Sequence, residues 1–138
     1  NISVEKADAI VSFAGPLMNF ITAIIFALIY CALIKFAGVA FLTSNIGYII
    51  LSIVASIITL DIGLGVFNMI PLPPLDGSKI FLPILPPNAK FWFIQHEHTF
   101  YIVFLIVWIT GIAGNVISPI IAQLRQWILF LAMTIFGV

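Results

Sequence analysis

The chain has 138 residues, 63% of them apolar, with five Lys and Arg set against five Asp and Glu for a formal net charge of zero. Its 7% charged content and mean hydropathy of +1.28 stand far from the roughly 25% charged residues of soluble domains, which excludes a water-soluble globular fold. Neutral charge without a basic run removes the surface that nucleic acids need, and the single Cys31 excludes a disulfide framework or a Cys-based zinc cluster within the chain.

The spacing of the charges predicts the architecture. Between Asp8 and Lys35 lie 26 uncharged residues, between Lys35 and Asp61 lie 25, and between Glu97 and Arg125 lie 27. Each run exceeds the roughly 20 residues needed to cross a hydrocarbon core about 30 Å thick. Without period-2 alternation these runs predict membrane-spanning helices at Ile10 to Ile34, Ile46 to Ile70 and Phe100 to Ile117. Residues 120–138 are a fourth candidate, weakened by Gln123, Arg125 and Gln126, which also suit a helix in the interface. The expected fold is therefore an all-α polytopic membrane protein of three to four spans, a single membrane domain over residues 1–138. Residue 1 is Asn, and no signal-peptide pattern follows it, so a longer parent protein is expected. Lys6, Lys79 and Lys90 would fall on one side and Lys35 and Arg125 on the other, a small excess that favours a cytoplasmic 71–98 loop.

Between the second and third spans, DIGLGVFNMIPLPPLDGSKIFLPILPP (residues 61–87) holds Pro71, Pro73, Pro74, Pro83, Pro86 and Pro87 yet stays apolar. Proline removes an amide donor and clashes with the preceding turn, so a broken, non-helical segment is expected there. Asp76 sits in this segment, six residues past the second span, beside Gly77, whose access to positive φ would let the chain turn and present the carboxylate. An ionisable group at the edge of an apolar region is a candidate functional residue, and a solvated turn aspartate is the alternative. Asn68 lies near the break, where its amide could satisfy carbonyls freed by Pro71 and Pro73. Asp61, two helical turns before Asn68, shares its face and suits either tuning of the site or packing, with a hydrogen bond to Thr59 or a neighbouring helix.

FNMIPLPPLDG (residues 67–77) resembles the NxxPxxPLDG signature of the site-2 protease family of intramembrane zinc metalloproteases. AGPLMN (residues 14–19) resembles the Gly-Pro plus Asn motif of the preceding helix, and TGIAGNVISPI (residues 110–120) resembles the end of the small bacterial members. The resemblance covers essentially the whole chain. It implies hydrolysis of peptide bonds in membrane-embedded peptide or protein substrates, with Zn2+ as cofactor and Asp76 as third zinc ligand. Two histidines of an HExxH helix would supply the others, and its Glu would activate the zinc-bound water. Asn19 and Asn68 would line the substrate cleft, and the expected location is a bacterial cell membrane.

No HExxH occurs in these 138 residues. In QHEHTF the position four after His96 is Phe100, and His96 and His98, two apart, point in different directions. They suit polar residues closing the loop, or a compensating site shared with Asp76. No catalytic residue is thus assigned within the chain, and the HExxH helix is expected upstream of it. The alternatives are a catalytically inactive pseudoprotease and a transporter-like protein whose proline-broken helix lines an ion path.

Overall fold

A computed structural model of the chain describes residues 4–138. Its elements in order are α1 (Val4–Phe36), α2 (Val39–Leu42), α3 (Asn45–Asn68), α4 (Asp76–Phe81), a 3-10 turn (Leu82–Ile84), α5 (Pro87–Gln95), α6 (Glu97–Ile109) and α7 (Ile112–Phe136). No strand occurs among the described residues. Three helices, α1, α3 and α7, are long and apolar enough to cross a membrane. The protein is accordingly an all-α, polytopic membrane protein.

The core is a seam between α1 and α3. Ala23, Ala27 and Cys31, spaced four apart on α1, are fully buried against a stripe of Val54, Ile58 and Ile62 at the same spacing on α3, and Ala132 of α7 closes the cluster. Lipid tails are as apolar as these side chains, so burial alone gives little preference for helix contact. Close packing over small residues such as Ala23 and Ala27 is what holds the pair. α3 begins at Ser44, whose hydroxyl accepts from the Gly47 amide at 3.0 Å as an N-cap. It then runs back along α1, and the Phe20 ring meets Gly65 near its far end.

α7 lies against both helices. Ile121 reaches Gly63 of α3, and at the other end Lys35 of α1 donates to the Phe136 carbonyl while Phe36 and Phe136 meet edge to face at 6.2 Å. Glu5, Asp8, Lys79 and Lys90 gather at the opposite end of α1, with Lys90 and Glu5 paired at 2.5 Å.

The helix boundaries correct the third and fourth expected spans. Phe100 to Ile117 is not one helix: α6 ends at Ile109, and α7 starts after Gly111, which has φ 75° and takes the left-handed conformation that a side chain disfavours. At about 1.5 Å per residue, the 13 residues of α6 cover roughly 20 Å, short of a bilayer core. The long helix is instead Ile112–Phe136, so Arg125 occupies mid-helix rather than a loop end. The small residues divide likewise. Gly63 and Gly65 do admit neighbours, whereas a side chain at Gly111 or Gly114 would meet nothing within 4 Å.

Candidate metal centre

Asp76 is reached through the proline-rich break. Beyond Asn68 the chain leaves the helix as a run of tight turns, with Leu72 N donating to Ile70 O at 2.8 Å and Leu75 N to Leu72 O at 2.9 Å. These bonds satisfy backbone groups that a helix would otherwise pair, which an apolar setting requires. The segment is not free of helix, as its prolines suggested. Helical structure resumes at Asp76, and Pro83 and Pro87 occupy first-turn positions of the 3-10 turn and α5, where a missing amide costs nothing.

Asp76 is the first residue of α4, in the turn where a helix favours negative charge. Its neighbours are fixed. Leu75 is 7% exposed, Ser78 is buried and donates its hydroxyl to the Leu75 carbonyl at 2.8 Å, and α4 packs against α1. Asp76 itself stays half-buried, its carboxylate on an immobilised backbone but open to a ligand.

Gly77 performs a different task from the one expected of it. It is helical and has no positive φ. A Cβ there would fall on the Ile70 carbonyl oxygen, within 2.6 Å of the Ile70 carbonyl carbon and 2.7 Å of the Met69 carbonyl carbon. Glycine is needed because the start of α4 lies directly on the backbone leaving α3.

Asn19 lies half-buried on α1, one residue before the Phe20 that packs on Gly65, and Asn68 is the half-buried last residue of α3. α4 and α3 both pack on α1, so the segments carrying Asp76, Asn68 and the 14–19 motif converge on one helix. The expectation that the Asn68 amide bridges freed carbonyls is not met: the Phe67 carbonyl, four before Pro71, accepts from Ile70 N at 3.2 Å. Thr59 likewise donates to the Ala55 carbonyl at 3.0 Å rather than to Asp61, which is half-buried on α3. No side-chain N or O among the described residues is both buried and unpartnered.

His96 is engaged elsewhere. Its Nδ1 donates to the Trp92 carbonyl at 2.8 Å and its ring stacks on Trp92 at 4.7 Å, at the junction of α5 and α6. Among the described residues no three His, Cys, Asp or Glu side chains come together as a metal site, so Asp76, His96 and His98 do not form one. The donor set of these residues does not make a complete zinc centre; Asp76 suits one position of it. Beside the Ile70–Leu72 turn opens an apolar cavity of about 290 Å³, walled by Val66, Ile70 and Leu72 on one side and by Phe104, Trp108 and Ile117 on the other. Sequence reasoning missed this cavity because the turn at Gly111, which splays α6 from α7, lies inside an uninterrupted apolar run.

Comparison with known proteins gives the same family as the sequence resemblance. Residues 2–110 match the model of peptidase family M50. Over 132 residues the chain is 33% identical to a Bacillus subtilis (strain 168) protein described as "Putative zinc metalloprotease YwhC", covering 94% of this chain and 58% of that protein. The chain thus spans little more than half the length of this relative. No solved structure matches it.

Proposed function

Because the chain belongs to peptidase family M50, we propose that it forms part of an intramembrane zinc metallopeptidase and contributes Asp76 as one zinc ligand. The two remaining protein ligands would be the histidines of an HExxH segment outside these 138 residues. Zinc held there by Asp76 and those histidines would supply the Lewis-acid activation of water that peptide hydrolysis needs. The chain's own contribution is positional. Gly77 and Ser78 hold Asp76 at the edge of the membrane-crossing helices, Asn19 and Asn68 are available to hydrogen-bond an extended substrate backbone, and the apolar cavity beside Leu72 suits a hydrophobic substrate side chain. The substrate class is a membrane-associated peptide or protein, and the membrane is a bacterial cell membrane.

The observation that carries this reading is the close seating of Gly77 on the Met69–Ile70 backbone, which fixes a carboxylate where the first helical residue meets the broken segment. The test uses the full-length protein and a membrane-embedded reporter. Asp76→Asn keeps the side-chain volume but is a poor zinc ligand, so zinc content and cleavage should both fall to background while the protein still inserts. Asp61→Asn should retain substantial turnover. Full zinc occupancy and turnover in Asp76→Asn would return Asp76 to the role of a turn residue.

A further inference from the structure

The end of α3, where the proline-rich break begins, is gripped from two directions. On one, the Phe20 ring of α1 meets Gly65, and the start of α4 lies on the Met69 and Ile70 carbonyls. On the other stands α6, which meets the last turn of α3 through aromatic rings. Phe67 packs edge to face on Trp108 with centroids 5.1 Å apart and lies 6.1 Å from Phe104, while Phe104 stacks on Trp108 at 6.0 Å. Lipid tails compete with any apolar side chain for such a contact, so ring geometry rather than withdrawal from water favours it.

A continuous path leads from those rings to Asp76. Trp108 is tied on its own side by its carbonyl, which accepts from Gly111 N at 3.1 Å and closes the turn into α7. Phe67 carries the contact inward: its ring meets Trp108, and its carbonyl accepts from Ile70 N at 3.2 Å. The Ile70 carbonyl in turn accepts from Leu72 N at 2.8 Å, and its oxygen is the atom that a Cβ on Gly77, next to Asp76, would strike. In an apolar setting no water replaces these backbone bonds, so a shift of Phe67 is passed along the path rather than absorbed. Every contact on the path joins two residues of these 138, so it does not depend on what else packs around the bundle.

We propose that Trp108 is a positioning residue: acting through Phe67, it holds the Ile70 turn, and with it Asp76, where the carboxylate can serve a zinc centre. The zinc part of this inference rests on the metallopeptidase reading, whereas the holding of the turn does not. Trp108 acts only through other residues, in the way that groups behind a metal ligand orient it. Such groups are worth about 10–100-fold in metal affinity, and the length of the path puts Trp108 at the lower end.

The test uses the full-length protein in detergent. In Trp108→Ala, hydrogen–deuterium exchange at the Ile70 and Leu72 amides is expected to run about two- to tenfold faster, the factor that one lost aromatic pair amounts to. Exchange over residues 54–62 of the α1–α3 seam should stay as in the parent. Zinc affinity, read by competition with a chelator, is expected to fall about tenfold. Trp108→Phe keeps a ring at the site and should recover most of both. Phe67→Leu stays apolar but loses the ring pairing, so it should reproduce the loss, and it replaces Trp108→Ala if that variant does not fold. Unchanged exchange at Ile70 and Leu72 would overturn the proposal. So would equal acceleration over residues 54–62, or faster exchange with unchanged zinc affinity, either of which would make Trp108 a packing residue alone. Absence of zinc from the parent protein would instead refute the metallopeptidase reading, and exchange would still decide whether Trp108 holds the Ile70 turn.

Discussion

At the scale of single residues, the two motif glycines have opposite surroundings. Gly77 has backbone where a Cβ would go, and Gly15 has nothing within 4 Å. Gly77→Ala must therefore push α4 off the end of α3, and it should destabilise the protein by several kcal/mol, within the exceptional range for a point change. Gly15→Ala meets no neighbour and gains helix propensity, worth up to about 1 kcal/mol, so this chain should be unchanged or slightly more stable. Thermal unfolding in detergent separates the two, and a tolerated Gly77→Ala would contradict the close seating described above. Asp76 could be singled out from LPPLDGS because it is a carboxylate beside an apolar run, but the task of its glycine could not. Sequence spacing reveals a glycine and not the backbone it faces, so a turn at positive φ and a close approach read alike.

At the scale of elements, the α1–α3 seam depends on the size of its alanines. Ala27 is fully buried, and Ala27→Leu would force extra carbons between the helices at a cost of about 1–3 kcal/mol. Ile24, 47% exposed on the same helix, should accept Leu with little change. Unfolding midpoints of the two variants test whether helix contact or total hydrophobicity holds the pair. These helices were legible in the sequence because charges bracket them: Asp8 and Lys35 enclose most of α1, and Lys35 and Asp61 enclose most of α3. The break between α6 and α7 was not. Glycine is common in membrane helices, no charge marks Thr110 or Gly111, and the hydrogen bonds that close the turn, Thr110 N to Ile106 O and Gly111 N to Trp108 O, resemble those of a continuing helix.

At the scale of the molecule, charge gathers mainly at the ends of the bundle, with Asp61 of α3 and Arg125 of α7 the exceptions inside long helices. Glu5, Asp8, Lys79 and Lys90 gather at one end of α1, and Lys35 marks the other, more than 40 Å away along a helix rising ~1.5 Å per residue. Cysteine introduced at Lys79, which is exposed, and at Asn45, exposed at the start of α3, should therefore label from opposite sides of the membrane. Ser78 is unsuitable for this purpose because it is buried. Labelling of both positions by a membrane-impermeant reagent from one side would mean that α3 re-enters rather than crosses.

The bond from Lys35 to the Phe136 carbonyl gives α7 the mechanics of an oar in a rowlock. Lys35 places its cation at the carbonyl ends of two helices at once, each the equivalent of roughly half a negative charge, and the Phe36–Phe136 ring contact grips the same place. At the other end Gly111 is exposed and no side chain caps the first turn of α7. Amide protons should then exchange early over residues 112–114 and late over residues 134–137, and Lys35→Met should erase that asymmetry. Any swing of α7 would be pivoted at Lys35 and largest at Gly111, where it changes the width of the apolar cavity beside the Asp76 segment.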